Sequence, residues 1–239
     1  MTRQALVLAG GLATRMLPLT REVPKYLLPV AGRPFAAWQL ERLAACAYDD
    51  VIVSIGHLGD AIRAFVGDGA SFGLRVRYVD EGDARLGTGG AIALAARQGL
   101  LDDDVLVTYG DSYLPFDYAA PLDALRADAA LDGVMAVFEN AGRWDASNVE
   151  LSADRTRVAR YEKGGADAAL RFIDYGATAL RRRVVEARTG AFGLDAVQTE
   201  LACDGRMGAV VADERFYEIG SPDGLHALEA HLAAAAPRT

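Results

Sequence analysis

The stretch that decides the fold lies near the start of the chain and reads Leu8-Ala9-Gly10-Gly11-Leu12-Ala13-Thr14-Arg15-Met16-Leu17-Pro18-Leu19-Thr20, then Pro24-Lys25-Tyr26-Leu27-Leu28-Pro29-Val30. A continuous apolar strand at residues 5–9 runs into two glycines, which let the backbone turn sharply and present successive N–H groups to an anion. Arg15 and Lys25 follow on the same segment; Arg offers a planar fork for phosphate oxygens and Lys a mobile point charge. Together these features predict a phosphate-binding loop and disfavour a plain structural turn with surface cations.

Two familiar phosphate-binding loops do not match this segment. The glycines are not followed by a Gly-Lys-Ser or Gly-Lys-Thr ending, so the loop is not of the Walker A type. The pattern Gly-x-Gly-x-x-Gly is also missing from it, so a dinucleotide fingerprint is not supported.

Composition limits the classes of partner. The chain has 239 residues with 25 basic and 33 acidic side chains, a net charge of −8. This length fits one large domain, and an acidic chain without a basic stripe argues against nucleic acid as the main partner. No apolar run reaches the ~18 residues that a membrane span needs, so we expect no membrane partner. An anionic ligand must therefore be held by a few placed cations, backbone N–H groups or a metal.

Lysine is scarce in this chain. Of the 25 basic residues only Lys25 and Lys163 are lysines, and the others are arginines. A bias toward Arg would replace any Lys for which Arg can substitute, so both lysines are candidate functional residues.

The cysteines and the N-terminus indicate the compartment. Cys46 and Cys203 lie far apart and follow no disulfide or ligand pattern, so we expect free, buried thiols. The N-terminal apolar run is too short for a signal-peptide core. We therefore expect a reducing cytoplasm.

Strand and helix signals alternate over the first 140 residues. The helix predicted at residues 58–66 is expected to turn Ile62, Phe65 and Val66 inward. The alternation predicts an α/β fold, a three-layer, Rossmann-like, mostly parallel sheet flanked by helices. Strands are predicted at residues 5–9, 51–55, 74–79, 105–109 and 133–138, and helices at 34–47, 58–66, 88–97 and 118–129.

After about residue 140 the predicted strands become short. With no linker or repeat in the chain, we expect them to complete the same sheet and to form a small lid region over the substrate. The prediction is one domain over residues 1–239, with a nucleotide half at 1–140 and a substrate half at 141–239. Strands are predicted at 149–151, 158–162, 172–180, 208–211 and 216–219, and helices at 194–202 and 222–234.

The opening segment resembles the signature loop of the sugar-1-phosphate nucleotidylyltransferases, also called nucleotide-sugar pyrophosphorylases. That family's pattern reads Gly-Gly-x-Gly-Thr-Arg-Leu-x-Pro-Leu-Thr, then Pro-Lys-Pro-Leu-Leu-Pro. This chain departs from it at Ala13, Met16 and Tyr26, and no departure removes a charged group. Leu86-Gly87-Thr88-Gly89-Gly90-Ala91 resembles the family segment that faces the base and ribose. The resemblance implies the fold of the nucleotide-diphospho-sugar transferases.

The resemblance also implies roles for the matching residues. Arg15 and Lys25 are the implied catalytic residues on the phosphates of an NTP, with Lys25 favoured for the transition-state charge. The implied nucleotide-binding set is Leu8, Gly10, Gly11, Thr14, Arg15, Lys25, Gly87, Thr88, Gly89 and Gly110.

A carboxylate follows the strand at residues 105–109. Ligands bind at the carboxyl ends of strands in open α/β sheets, and Mg²⁺ takes one or two carboxylates plus phosphates and waters. From the residues alone, a turn or helix-cap role for Asp111 is equally open. The resemblance matches Asp111 to the family's Gly-Asp metal ligand and Glu218 to the Asp of its Asp-Ile-Gly-Thr-Pro segment. It therefore implies Mg²⁺ as the cofactor, held by Asp111 and Glu218.

The substrate half carries two further matches. Tyr161-Glu162-Lys163 resembles the family's Glu-Lys-Pro segment, whose Lys contacts the sugar phosphate and whose Glu contacts sugar hydroxyls. Phe172-Ile173-Asp174-Tyr175-Gly176 resembles its Val-Asn-Ala-Gly strand, with Asp174 where Asn is common. Glu162, Lys163, Asp174 and Gly176 are thus the implied substrate-binding residues, and a structural role for Asp174 stays open. Trp144 can stack on the ligand or pin its loop, and His57 can contact nucleotide or serve as a hydrogen-bonded loop residue.

The resemblance implies an enzyme that transfers a nucleotidyl group from an NTP to a sugar 1-phosphate. The branch that looks most similar uses GTP with mannose or heptose 1-phosphate. Two alternatives stay open: a cytidylyltransferase for a non-sugar phosphate, and a nucleotide-binding regulatory subunit without catalysis. Whether the chain forms a homo-oligomer is also open.

Overall fold

The computed structural model describes residues 2–11, 16, 19–82, 84–165 and 167–235. The strands are β1 Gln4–Leu8, β2 Pro29–Val30, β3 Arg33–Pro34, β4 Asp50–Ile55, β5 Arg75–Asp80, β6 Asp104–Tyr109, β7 Ser112–Tyr113, β8 Gly133–Glu139, β9 Val149–Leu151, β10 Val158–Tyr161, β11 Phe172–Arg181, β12 Met207–Ala212 and β13 Tyr217–Glu218. The helices are α1 Phe35–Ala45, α2 Gly59–Val66, α3 Gly87–Arg97, α4 Ala119–Ala127, α5 Leu194–Cys203 and α6 Pro222–Ala235. No helix in these described ranges is long and apolar enough to cross a membrane.

Nine strands form one mixed, mostly parallel sheet, which confirms the predicted fold class. Its main path runs β10-β9-β11-β6-β1-β4-β5, and β8 joins β11 to β12. Strands β6, β1, β4 and β5 are parallel to one another, as are β8 and β12. The long strand β11 is antiparallel to both β6 and β8, so β9, β10, β11 and β12 complete the same sheet as expected. The strand predicted at residues 216–219 does not: β13 pairs with β7 in a separate two-stranded sheet.

Side-chain alternation along the central strand produces the three layers. Ala5 and Val7 of β1 face a core cluster that includes residues of α1, α2, α4 and α6. Leu6, between them, faces a second cluster with residues of α3 and α5. Neighbouring residues of a strand point to opposite faces, so an all-apolar strand must be covered on both sides. Leu6 is fully buried, and each such side chain stabilises the fold by about 1.5–3 kcal/mol.

Two predictions about single side chains are wrong. Phe65 is 39% exposed on α2, where it lies beside Phe72, because α2 packs through Ile62 and Val66. Cys203 is exposed at the end of α5, and Cys46 is partly buried; both are free thiols.

The carboxyl ends of four parallel strands meet at one edge of the sheet. Backbone bonds continue past the strand ends: Ala9 N donates to Ser54 O at 3.0 Å and Gly110 N to Leu8 O at 2.9 Å. The loops that follow β1, β4, β5 and β6 are thereby held side by side. This edge is where the fold positions the predicted site.

Candidate active site

A cavity of about 570 Å³ lies at this edge of the sheet. It collects residues from the loops after β1, β4, β5 and β6 and from the start of α3. Its lining residues are Leu8, Ala9, Gly10, Gly11, Lys25, Tyr26, Gly56, His57, Glu81, Gly82, Ala84, Arg85, Leu86, Gly87, Thr88, Ala91, Tyr109, Gly110 and Asp111.

The glycine loop after β1 forms one wall of the cavity. A Cβ on Gly10 would lie 2.7 Å from Oε1 of Glu81, so a side chain at this position would displace the Glu81 carboxylate. A Cβ on Gly11 would meet no described residue within 4 Å, so this position differs from Gly10 in having room beside it. Thr14 and Arg15, predicted on the same loop, lie outside the described residues.

Lys25 begins the short 3-10 helix Lys25–Leu27, directly after Pro24. Its ammonium nitrogen donates to Oδ2 of Asp111 at 2.7 Å, and the two side chains are 18% and 26% exposed. A compact cation and a carboxylate that come from different loops are thus in contact at the cavity wall. Both of them remain reachable from solvent.

The turn that carries Asp111 is held by backbone contacts. Gly110 approaches β1 so closely that a Cβ would lie 3.0 Å from Leu8 O, which explains the glycine. Ile219 N donates to Asp111 O at 2.9 Å, and Ser112 Oγ donates to Asp111 Oδ1 at 3.3 Å. The carboxylate therefore projects from a fixed backbone into the cavity.

The second predicted metal ligand lies next to the first. Strand β13 pairs antiparallel with β7 and sets Glu218 opposite Ser112, the neighbour of Asp111. No group of three or more His, Cys, Asp and Glu side chains that could hold a metal occurs in the described part of the chain. The register brings the backbones of the two residues close together, although Glu218 is exposed and lies outside the cavity lining. Carboxylates from two such neighbouring positions suit Mg²⁺, which takes its remaining ligands from phosphate oxygens and waters.

The segment at the start of α3 divides into lining and packing positions. Gly87 and Thr88 line the cavity, and Gly87 has φ +72°, a conformation that favours glycine. Gly89 N instead donates to Phe192 O at 3.0 Å, and a Cβ on Gly89 would overlap the ring of Phe192. Gly89 thus serves the contact between α3 and residues 192–193 and lies outside the cavity lining, although it was predicted with the nucleotide-binding set.

Contacts between α3 and α5 bring Lys163 toward the cavity. Leu194 N, at the start of α5, donates to Thr88 Oγ1 at 2.8 Å. The next residue, Asp195, lies 3.3 Å from the ammonium of Lys163. Lys163 is 70% exposed, so its charge is available to a ligand. Its neighbour Glu162 is exposed and pairs with Arg160 at 2.8 Å.

Asp174 is held by several hydrogen bonds on β11. Its carboxylate accepts from Gly176 N at 2.9 Å and from Gln198 Nε2 at 3.0 Å, and its N–H donates to Asn148 Oδ1 at 2.8 Å. Burial raises the pKa of this carboxyl, and the hydrogen bonds from Gly176 and Gln198 oppose that effect. These hydrogen bonds fit a structural role for Asp174. The predicted substrate contact stays a prediction.

Gly176 lies at an irregularity of β11. The register of β11 against β8 shifts between Asp174 and Thr178, and Gly176 has φ +93°. A Cβ there would lie 3.5 Å from Ser112 Oγ. The bulge therefore brings the substrate half against the turn that carries Asp111.

Glu81 is a cavity residue that the sequence analysis missed. It accepts a hydrogen bond from Ser54 Oγ at 2.6 Å, and burial raises the pKa of its carboxyl while Ser54 opposes the rise. It follows β5 directly, so the rule that selected Asp111 at the end of β6 would have selected it too. Arg85, which no sequence pattern selects, lines the cavity too, as does His57, for which a nucleotide contact and a loop role are both open.

Trp144 pins its loop to the segment before β13. The guanidinium carbon of Arg215 lies 3.8 Å from the Trp144 ring centroid and 4.5 Å from that of Tyr217. The cation is thus held between two rings, a geometry that attracts through the ring quadrupoles. Of the two roles left open for Trp144, these contacts favour loop anchoring.

Comparisons with known proteins agree with this architecture. A family model described as nucleotidyl transferase matches residues 4–147. The mannose-1-phosphate guanylyltransferase of Mycobacterium tuberculosis is 41% identical over 126 residues, which cover 53% of this chain but only 34% of that protein. The N-acetylmuramate alpha-1-phosphate uridylyltransferase of Caulobacter vibrioides is 32% identical over 241 residues, 97% of each chain.

Solved structures support the fold. A Bacillus anthracis protein in complex with a sucrose superposes with a TM-score of 0.84 at 20% identity and covers 100% of this chain and 98% of its own. HddC from Yersinia pseudotuberculosis gives a TM-score of 0.76 at 22% identity, over 97% of this chain and 100% of that one.

Proposed function

Since the chain belongs to the nucleotidyl transferase family, we propose that it transfers a nucleotidyl group from an NTP to a sugar 1-phosphate, with release of pyrophosphate. The observation that carries the proposal is the contact of Lys25 with Asp111 beside the glycine loop. A cation for phosphate and a carboxylate for metal lie together at the carboxyl ends of β1 and β6, where open α/β sheets bind ligands.

The proposed reaction is an in-line attack of a phosphate oxygen of the sugar 1-phosphate on the α-phosphorus of the NTP. That nucleophile is already ionised at neutral pH, so the main barriers are repulsion between anions and developing charge. Placed cations lower both barriers without a covalent intermediate. Arg15 and Lys25 are assigned to the NTP phosphates and Lys163 to the sugar phosphate. Glu162, Asp174 and Gly176 are assigned to the sugar.

Asp111 and Glu218 would hold Mg²⁺, which neutralises phosphate charge when it is bound. The adjacency of the two residues across β7 and β13 supports this assignment. The nucleotide is proposed to be bordered by Leu8, Gly10, Gly11 and Gly110. Its base and ribose are proposed to lie against Gly87 and Thr88.

We propose GTP with a mannose- or heptose-type 1-phosphate as the substrate pair. Glu81 supports guanine, because it lines the cavity and follows β5. A carboxylate is an acceptor at both oxygens, and guanine offers N1–H and N2–H donors side by side.

A second pair, UTP with an N-acetylmuramate-type 1-phosphate, is favoured by one observation. The Caulobacter uridylyltransferase is similar to this chain from end to end, including the substrate half. Uracil carries one N–H between two carbonyl oxygens, so Glu81 would complement it only with a proton on the second carboxyl oxygen. Burial shifts the Glu81 pKa upward, the direction that such a form needs.

The test is pyrophosphate release with Mg²⁺, measured for ATP, CTP, GTP, UTP and dTTP against a panel of sugar 1-phosphates. Turnover with GTP and a mannose or heptose 1-phosphate supports the first pair. Turnover with UTP and N-acetylmuramate 1-phosphate supports the second. No turnover with any pair would contradict the proposed activity and favour a non-sugar acceptor or a regulatory role.

A further inference from the structure

A buried glutamine on α1 contacts the turn that carries Asp111. Gln39 is fully buried, and its Nε2 donates to Tyr109 O at 2.8 Å and to Ser112 O at 3.1 Å. These two carbonyls flank Gly110 and Asp111, so one amide bridges both ends of the turn. Among the described residues, the Gln39 side chain makes these two hydrogen bonds and no others.

A polar residue at this position is costly unless it has a specific role. Gln39 lies on a helix whose other buried residues, such as Phe35, Leu40 and Leu43, are apolar. Burial of an amide without partners is unfavourable, and an apolar side chain would fill the same space without that penalty. The two hydrogen bonds to the turn satisfy the amide nitrogen and offset its share of the penalty.

The orientation of the amide is also fixed. Oε1 of Gln39 accepts no hydrogen bond within the described part of the chain, so only the nitrogen end is satisfied. A flipped amide would set Oε1 against the carbonyl oxygens of Tyr109 and Ser112. Both donors therefore stay directed at the turn.

We propose that Gln39 is a positioning residue for the metal ligand Asp111. The turn is then held from three sides: by Leu8 O through Gly110 N, by Ile219 N through Asp111 O, and by Gln39 through the two flanking carbonyls. With the backbone fixed, the carboxylate of Asp111 keeps the direction that a metal ion and Lys25 require. The inference rests on the proposed metal role of Asp111.

The test is Mn²⁺ binding in the presence of pyrophosphate, followed by electron paramagnetic resonance, with thermal unfolding measured on each variant. Gln39→Met keeps the size of the side chain and removes both donors, and we expect it to weaken Mn²⁺ binding by about 10–100-fold, as loss of outer-shell support does. Gln39→Asn keeps the amide but withdraws it by one methylene, and should shift binding in the same direction by less. If Gln39→Met does not fold, Gln39→Asn alone tests the proposal.

Leu43→Ala is the matched control, because it loosens the same helix without touching the turn. It should lower the unfolding temperature and leave Mn²⁺ affinity unchanged. Suppose that Asp111→Asn loses Mn²⁺ binding, as the metal assignment requires. Wild-type Mn²⁺ affinity in the folded Gln39 variants, or an equal loss of affinity in Leu43→Ala, would then overturn the Gln39 proposal and leave the metal assignment standing. If Asp111→Asn binds Mn²⁺ as the wild type does, the metal assignment in the proposed function fails, and the Gln39 proposal fails with it.

Discussion

The ammonium nitrogen of Lys25 lies 2.7 Å from Oδ2 of Asp111, although 86 positions separate the two residues in the chain. The contact joins the loop after β1 to the loop after β6, which are neighbouring parallel strands. In the proposed reaction the two groups serve different partners: Lys25 the phosphates and Asp111 the metal. Their contact holds both at the place where those partners would meet.

Lys163 should be sensitive to replacement by Arg. Its ammonium lies 3.3 Å from Asp195 and is assigned to the sugar phosphate, where a planar guanidinium differs from a compact cation in shape. Lys163→Arg is expected to raise KM for the sugar 1-phosphate by about tenfold, the worth of a hydrogen bond to a charged group. Steady-state kinetics with each substrate varied checks this, and KM for the NTP is the internal control. A folded variant with both KM values unchanged would refute the assignment.

Glu81→Gln should change the choice of base. A glutamine presents one acceptor and one donor, so it no longer matches two adjacent guanine donors but does match the N3–H and O4 of uracil. We expect the ratio of kcat/KM for GTP to that for UTP to fall by about tenfold, the usual effect of one bidentate base contact. Ser54→Ala, which removes only the hydrogen bond to Glu81, should change the ratio less. An unchanged ratio in Glu81→Gln would exclude Glu81 from base selection.

Asp174 should make the fold less stable as pH rises. Burial raises its pKa above the ordinary 3.8, so the folded state binds this proton more tightly than the unfolded state does. The free energy of unfolding therefore falls as pH rises from about 4 through the raised pKa. Asp174→Asn removes this dependence, and Gln198 can rotate its amide to accept from the new Nδ2. We expect an unfolding temperature at pH 7 equal to or above that of the wild type.

Asp167 is the control of opposite sign. A hydrogen bond from the Ala169 N–H lowers the pKa of this exposed carboxyl below its ordinary value, and a hydrogen bond from Arg160 lowers it further. Such a group adds stability above about pH 4 that is lost as pH falls through the lowered pKa, so Asp167→Asn should lose a little stability at pH 7. Thermal unfolding of both variants from pH 4 to 8 makes the comparison. A lower unfolding temperature for Asp174→Asn at pH 7 would contradict the role of burial.

Gly89→Ala should destabilise the contact between α3 and the start of α5. The added Cβ would overlap the Phe192 ring, and overpacking of this kind costs about 1–3 kcal/mol. Chemical denaturation measures the loss. Gly11→Ala is the control, because its Cβ would meet no atom within 4 Å in the described part of the chain and the free energy of unfolding should stay nearly constant. Equal stability of the two variants would show that Phe192 moves aside at no cost.

Most of the fold could be predicted from the order in which strand-like and helix-like apolar patterns follow one another along the chain. Each predicted strand and helix has a counterpart whose ends differ by at most two residues. The central strands are short continuous apolar runs because both faces are covered, and the helices repeat their apolar residues with a period of 3.6. The spacing of Phe65 fits a buried helical face and predicts an inward side chain. What exposes it is the packing of α2 onto the sheet, which no local pattern contains.

The site also contains residues that the sequence predicts and residues that only the folded structure identifies. Asp111 could be found because it follows a buried strand, and Lys25 because it lies on the segment after the glycine loop in a chain that has few lysines. The structure places the two side chains 2.7 Å apart. Gln39 could not be found, since a single glutamine on an apolar helix gives no sign of the carbonyls it will face. The packing role of Gly89 depends on Phe192, which lies about a hundred residues further along the chain.

The measurement that tests the central claim most directly is the rate of pyrophosphate release by Lys25→Ala and Lys25→Arg beside the wild type, at saturating Mg²⁺ and substrates. Loss of a transition-state donor costs on the order of a hundredfold or more, and that is the expected loss for Lys25→Ala with its folding intact. Lys25→Arg should also fall far below the wild type, since a planar fork does not replace a compact ammonium in so close a contact. Well-folded variants that release pyrophosphate at near-normal rates would contradict the account.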